Sequence, residues 1–272
     1  ANSINIGRLV PQIVYYVSAY CDLLSTGKIS VSEKLDVCVP SGNFGNIFAA
    51  YLAKRMGLPI GQLICASNSN NVLTEFLTTG VYDRNRPFHK TISPSMDILI
   101  SSNLERLISI LFGTQRTREL MERLLVDGRY SLTPDELGVL RRDFSAYSTS
   151  EAATAKIIKK TYEEKNCLTD PHTSVAIDAA AKYMNDHKAE RKILIVSTAS
   201  PFKFADSVYA AITGVQIRAE KAPEALHELT GTDIPTPLRD ILKQKILHPG
   251  IIAPSDMPKA VKDFAAVNMR GV

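Results

Sequence analysis

The chain has 272 residues, 45% of them hydrophobic and 22% charged, a composition typical of a globular protein with a substantial core. Its formal charge of +4 comes from 32 basic and 28 acidic residues spread along the chain, which argues against a nucleic-acid-binding tail. No apolar stretch approaches the ~20 residues of a membrane-spanning helix, so the sequence predicts a soluble protein without nucleic-acid or membrane partners.

The four cysteines lie far apart, form no C-x-x-C pair, and have no histidine near them at metal-ligand spacing. Cys38 and Cys65 lie within apolar runs, where a thiol behaves as a small hydrophobic group. We therefore predict no metal site, reduced thiols and a cytoplasmic location.

The first part of the chain alternates between predicted helices and strands. Apolar residues recur at helical spacing in residues 4–24, and short apolar runs at 35–39 and 63–66 predict buried strands. Helices are predicted after both strands, one at 47–56 and one that is capped by residues 68–71 and runs to about residue 79. This alternation predicts an α/β fold in which a mostly parallel sheet is covered by helices on both faces, giving three layers.

The remainder of the chain is predicted to be mostly helical. One further strand is predicted at residues 192–197, followed by a helix at 202–212. Pro134 stands at the first position of another helix, with Thr133 before it and acidic residues in the first turn. The remaining predicted helices are 104–112, 114–125, 134–142, 151–165, 169–187, 237–245 and 258–266.

A short turn between the first predicted strand and its helix is the most informative local feature. Its glycines let the backbone reach positive φ and approach a ligand closely, and N–H groups at a helix start point toward an anion. The turn has neither the P-loop pattern nor the dinucleotide-binding pattern. The residues alone leave open a phosphate cradle and a simple tight turn. This 41–46 loop consists of Ser41, Gly42, Asn43, Phe44, Gly45 and Asn46.

The sequence of the 41–46 loop, S-G-N-F-G-N, resembles the loop that holds the cofactor phosphate in threonine synthases. These are pyridoxal-phosphate enzymes of fold-type II, the tryptophan-synthase-β-like class. Five further blocks resemble that family in the same order, so the resemblance covers residues 2 to about 215. The blocks are N-S-I-N with P-Q-I-V-Y-Y at 2–16, A-S-N-S-N-N-V-L at 66–73, S-M-D-I with S-S-N-L-E-R at 95–106, D-P-H-T at 170–173 and S-T-A-S-P-F-K-F at 197–204.

The resemblance implies pyridoxal 5'-phosphate as the cofactor, with its phosphate in the 41–46 loop. It also implies that the Thr198 hydroxyl faces the ring nitrogen of the cofactor. A neutral group there would not hold that nitrogen protonated, which would make the cofactor a weaker electron sink. Ser200 and Phe202 depart from the histidine and alanine that family members often have. Residues 1–215 are thus expected to form part of a PLP-binding catalytic domain, and residues 216–272 a mostly helical tail packed on it.

On the substrate side the resemblance implies a second set of polar residues. Each has an ordinary structural alternative, which is helix capping for the residues near the three helix starts and a surface ion pair for Arg106. The expected substrate-side residues are Asn2, Ser3, Asn5, Asn103, Arg106, Asp170, His172 and Thr173.

The implied reaction of the whole enzyme converts O-phospho-L-homoserine and water into L-threonine and phosphate. The lysine that binds the cofactor covalently in this family lies in a segment preceding the matched blocks, and no lysine here occupies an equivalent motif. Lys203 belongs to the last block and is not expected to take that role. We therefore expect that the chain lacks the catalytic lysine, does not turn over alone, and has the missing N-terminal segment as a partner.

The abrupt start at Ala1, directly before a helical pattern, favours a truncation over the alternative of a natural relative without the lysine. Other interpretations stay open. A threonine dehydratase shares the fold type, although the N-S-I-N and S-M-D-I blocks argue against it. A non-catalytic module that binds a phosphate ligand and an assembly domain without phosphate affinity are the alternatives from other classes. The sequence does not decide whether the chain forms a homo-oligomer.

Overall fold

The computed structural model describes residues 5–239, 241, 244–247 and 250–268. Helices and strands alternate through its first half, and helices dominate the second. The helices up to residue 234 are α1 Ile6–Leu9, α2 Ile13–Ser25, α3 Gly45–Arg55, α4 Val72–Thr79, α5 Leu104–Val126, α6 Pro134–Arg141, α7 Glu151–Lys165, α8 Pro171–His187, α9 Ala205–Thr213 and α10 Ala222–Thr230. The strands are β1 Leu35–Pro40, β2 Ile60–Ser67, β3 Val81–Asp83, β4 Arg129–Ser131, β5 Phe144–Ser148 and β6 Ile193–Ile195.

The main sheet has four parallel strands in the order β5-β2-β1-β6. Successive side chains of a strand point to opposite faces. Val39 and Leu63 accordingly pack with α3, α4 and α5 on one face, whereas Cys38 and Ile64 pack with α8 on the other. The sheet is therefore the middle of three layers, and the predicted α/β class with a parallel sheet is confirmed.

Local sequence signals set several helix ends. Helix α7 has the predicted bounds, and α6 begins with a capping box in which Thr133 and Glu136 each accept from the other's backbone N–H. Gly113, with φ of 81°, interrupts α5 where the sequence predicts a break between two helices. The helix predicted at 202–212 is instead a 3-10 turn, Pro201–Phe204, followed by α9.

Three strands lie where the sequence predicts none. β5 pairs with β2 and completes one side of the main sheet. β3 and β4 form a separate antiparallel pair, in which the rings of Tyr82 and Tyr130 stack with their centroids 5.2 Å apart. Such short segments show little periodicity of their own, so their conformation depends on partners far along the chain.

The chain divides into two compact units, Ala1–Ile234 and Pro235–Val272. The first unit includes α10, which packs against α9, so the boundary lies later than the division expected at residue 215. In the second unit, α11 covers Met257–Asn268, and the helix predicted at 237–245 falls partly outside the described residues. The division into a catalytic part and a tail stays a prediction. None of the described helices is long and apolar enough to cross a membrane.

Candidate functional site

The carboxyl ends of the four parallel strands meet at one edge of the sheet. The 41–46 loop follows β1 there, and the register that pairs Cys38 with Ile195 brings the turn after β6 to the same edge. Ligands of open α/β sheets bind outside this edge. Helix α3 begins at Gly45, within the loop, so its first N–H groups lie at the same place.

Two features give the 41–46 loop its backbone shape. Phe44 adopts a left-handed conformation with φ of 61°, which disfavours most side chains by about 1 kcal/mol or more. Its ring is 1% exposed and lies 5.7 Å from the ring of Phe144, so burial offsets that strain. A side chain at Gly42 would place Cβ 2.5 Å from the backbone oxygen of Ser95, so only glycine fits.

The carbonyl groups of Gly42 and Asn43 point into the protein. Ser101 Oγ donates to the oxygen of Gly42 at 2.9 Å, and Asn103 donates to the oxygen of Asn43 from its backbone N at 3.1 Å and from Nδ2 at 2.8 Å. In a trans peptide the N–H points opposite to the C=O. The N–H groups of Asn43 and Phe44 therefore point away from residues 101–103.

The backbone N–H groups of residues 42–46 have no acceptor among the described residues. Ser41 N, by contrast, donates to Ala66 O at 2.8 Å and fixes the loop to β2. Successive unpaired N–H groups at a helix start bind anions, aided by the helix dipole. The loop thus has the geometry of an anion-binding site.

A cavity of about 380 Å³ lies against the loop, within the range of small-molecule sites. Its described lining contains an arginine and no carboxylate. Burial raises the pKa of the nearby Cys65 thiol to about 12, so this group stays neutral and adds no negative charge. The lining residues are Arg8, Gln12, Pro40, Ser41, Gly42, Asn43, Phe44, Gly45, Asn46 and Ser95.

Asp170 and His172 lie behind Ser95, one of the residues that line the cavity. Asp170 caps α8 and accepts from the backbone N–H of His172 at 2.9 Å. His172 Nε2 accepts from the N–H of Ser95 at 3.2 Å, so Nδ1 carries the proton and donates to Asp170 Oδ1 at 2.9 Å. Since both ring nitrogens are occupied, this histidine positions Ser95 against Gly42 and is not a free acid or base in this arrangement.

The structure brings some of the predicted site residues together and separates others. The 41–46 loop residues line one cavity, and the exposed Thr198 lies at the same sheet edge but outside that lining.

Among the predicted substrate-side residues, Asn103 is fully buried behind the loop, and Arg106 donates to its Oδ1. Asn5 caps α1 by accepting from Gly7 N at 2.8 Å, while Asn2 and Ser3 lie outside the described residues. Thr173 Oγ1 donates to Asp170 Oδ2. Their roles in binding cofactor or substrate stay predictions.

Four residues at the site are absent from the predicted set: Arg8, Gln12, Tyr16 and Ser95. The first three recur every fourth residue, the spacing of one helical face, and that regularity is the signal that could have identified them. Ser95 belongs to the S-M-D-I block, but its proximity to Gly42 arises only from the tertiary fold.

Comparisons with known proteins bear on this arrangement. Residues 173–241 match the family model described as threonine synthase, C-terminal. The human protein named threonine synthase-like 1 is 42% identical over 250 residues, an alignment covering 90% of this chain and 33% of that protein. The threonine synthase of Saccharomyces cerevisiae is 36% identical over 248 residues, which cover 84% of this chain and 48% of that synthase.

The fold of the chain is also similar to that of a threonine synthase. The crystal structure of PLP-bound threonine synthase from Brucella melitensis matches with a TM-score of 0.75 at 36% identity, covering 90% of this chain and 48% of that chain. The chain thus spans between a third and a half of the length of these relatives. In sequence and in fold the chain is similar to the threonine synthases of pyridoxal-phosphate fold-type II, which confirms the resemblance of its sequence blocks.

Proposed function

We propose that the chain forms the phosphate-binding half of a pyridoxal-phosphate lyase of the threonine synthase kind. The whole protein would convert O-phospho-L-homoserine and water into L-threonine and phosphate. The observation that carries the proposal is the row of backbone N–H groups at residues 42–46, which have no acceptor among the described residues. The similarity to a threonine synthase with PLP bound supports the same cofactor here.

The residues present fit the phosphate of such a cofactor. Gly42 lacks the Cβ that would collide with Ser95, the loop N–H groups point outward, and Arg8 adds a cation to the lining. When bound, pyridoxal phosphate supplies an electron sink that stabilises carbanions of the amino-acid substrate. The loop would hold its phosphate at the start of α3, and Thr198 would face the ring nitrogen.

The chain would provide binding and orientation rather than proton transfer. Asp170, His172 and Thr173 would shape the substrate side of the cavity, with His172 fixing the segment that carries Ser95. The catalytic lysine would come from the rest of the protein, so the 272-residue chain would not turn over alone. The cytoplasmic location predicted from the cysteines, all four of which are unpaired, belongs to the same proposal.

Ligand titration of the 272-residue chain tests the proposal. We expect saturable binding of pyridoxal 5'-phosphate, and binding at least tenfold weaker for pyridoxal, which has no phosphate to occupy the loop. Equal affinity for the two compounds, or no binding of either, would overturn it. Release of inorganic phosphate from phosphohomoserine by this chain alone would contradict the expected inactivity.

A non-catalytic module that binds a phosphate ligand is the second candidate. It is favoured by His172, because both of its ring nitrogens are engaged in hydrogen bonds. Among the described residues, the cavity therefore offers groups that bind a ligand but no histidine free to act as a base. Combining the chain with the lysine-bearing segment of the full protein distinguishes the two functions. Phosphate release by the complex supports the lyase, whereas PLP binding without turnover supports the module.

A further inference from the structure

Tyr16 connects α2 to the 41–46 loop. Its side chain is 3% exposed, and its hydroxyl lies 3.1 Å from the backbone oxygen of Asn46 and donates to Asn46 Oδ1. Asn46 is the last residue of the loop and the second residue of α3. Burial raises the pKa of Tyr16, so the hydroxyl keeps its proton and remains a donor.

This contact determines which end of the Asn46 amide faces the cavity. A carboxamide has an acceptor oxygen at one end and an NH₂ group with two hydrogens at the other. Because Oδ1 is held by Tyr16, Nδ2 is turned away from the phenol. Asn46 lines the cavity, and its Nδ2 has no acceptor among the described residues.

We propose that Tyr16 is a positioning residue of the anion site, which holds Asn46 Oδ1 so that Nδ2 donates to a bound phosphate monoester. The inference deepens the proposed function and rests on it. It adds a side-chain donor to the backbone N–H groups of the loop, and it assigns to α2 a part in ligand binding through a residue that does not touch the ligand.

Tyr20 provides a matched control on the same helix. It lies one turn after Tyr16, is 6% exposed, and donates through its hydroxyl to the backbone oxygen of Glu33 at 3.1 Å. Glu33 belongs to the segment before β1, away from the 41–46 loop. Tyr20→Phe therefore removes a similar buried hydrogen bond without affecting Asn46.

The experiment titrates the wild-type chain and the variants Tyr16→Phe, Tyr20→Phe, Asn46→Ala and the Tyr16→Phe/Asn46→Ala double variant with inorganic phosphate and with pyridoxal 5'-phosphate. Tyr16→Phe is expected to weaken both about 5- to 10-fold, the effect of losing one oriented hydrogen bond to an anion. Asn46→Ala should do the same, and the double variant should be no weaker than Asn46→Ala. In ¹H–¹⁵N spectra of wild type, the Asn46 side-chain amide should shift on saturation with phosphate.

Each other outcome has a defined meaning. If Tyr20→Phe weakens phosphate binding as much as Tyr16→Phe, or if Tyr16→Phe adds its full effect to Asn46→Ala, the positioning role is refuted. Normal binding by Tyr16→Phe refutes it too and leaves the proposed function intact. If the wild-type chain binds neither phosphate nor pyridoxal phosphate, the proposed function fails and this inference fails with it.

Discussion

The amino and carboxyl ends of the parallel sheet both carry polar groups, but these groups are paired differently. At the amino end, Asp36 is fully buried and accepts from Gln62 N at 2.6 Å, Arg191 Nε at 2.8 Å and Tyr183 OH at 3.2 Å. At the carboxyl end, the N–H groups of the 41–46 loop have no acceptor among the described residues.

The difference separates a structural cluster from a candidate ligand site. A buried carboxylate whose oxygens all have partners joins strands and offers nothing to a ligand. A glycine is required at position 61 beside this cluster, because a Cβ on Gly61 would lie 2.2 Å from Asp36 Oδ1. Donors that line a cavity without an acceptor, by contrast, are satisfied when an anion binds. Variants at the two ends should therefore affect stability and ligand affinity separately.

The largest effect on stability is expected from Asp36→Ala at the amino end. The substitution leaves Gln62 N–H and the Tyr183 hydroxyl without their acceptor, which should lower the free energy of unfolding by about 2–4 kcal/mol. Urea denaturation measures the loss, and affinity for pyridoxal phosphate in the folded fraction should not change. Asp22→Ala, at an exposed position, should stay within about 0.5 kcal/mol of wild type. A comparable loss in both variants would remove the contrast between the two ends.

At the carboxyl end, Gly42→Ala should act chiefly on ligand binding. The new Cβ would meet the backbone oxygen of Ser95 at 2.5 Å, so the loop must shift, and we expect pyridoxal phosphate affinity to fall tenfold or more. Gly138→Ala is the control, since its Cβ meets nothing within 4 Å in α6 and should add about 0.5–1 kcal/mol of stability. Calorimetric titration measures the affinity of both variants. Normal binding of the ligand by Gly42→Ala would contradict the prediction.

A smaller effect on the same loop is expected for Asn103→Ala. This variant loses the Nδ2 donor to Asn43 O, and we expect about 1 kcal/mol less stability and roughly threefold weaker binding of pyridoxal phosphate. Asn85→Ala loses a bond of the same length, 2.8 Å, to the backbone of Asp127 at an exposed position. Its binding constant should equal that of wild type, and a parallel decrease would mean that general stability controls the loop.

The smallest effect concerns Glu136, which belongs to neither end of the sheet. Arg116 holds the pKa of this carboxyl below its usual value, with a further contribution from the backbone N–H of Thr133. The stabilisation that the Glu136 carboxylate provides is thus fully present above the pKa of this group in the unfolded chain. It is lost as the pH falls through the lower pKa of the folded state. Glu136→Gln should be about 0.5–1 kcal/mol less stable near neutral pH and nearly equal to wild type once the pH is below the folded pKa of Glu136. A difference independent of pH would exclude the charge as its cause.

Much of the fold was predictable because its signals are local. The apolar runs of β1 and β2, the capping box at the start of α6 and the break at Gly113 each depend on residues close together in sequence. β5 was not predictable in this way, because its residues become a strand only by pairing with β2, about eighty positions earlier.

The sequence by itself determined the α/β class and the resemblance to threonine synthases, and it identified the 41–46 loop as either a phosphate cradle or a tight turn. Only the tertiary structure decided which groups of that loop are available to a ligand. Ser101 and Asn103 donate hydrogen bonds to two of its carbonyl groups. Ser95 excludes a side chain at Gly42, and the Tyr16 hydroxyl donates to Asn46. All of these partners come from distant segments of the chain. The physical reason is that turn chemistry is encoded locally, whereas the partner of each hydrogen-bonding group depends on the whole fold.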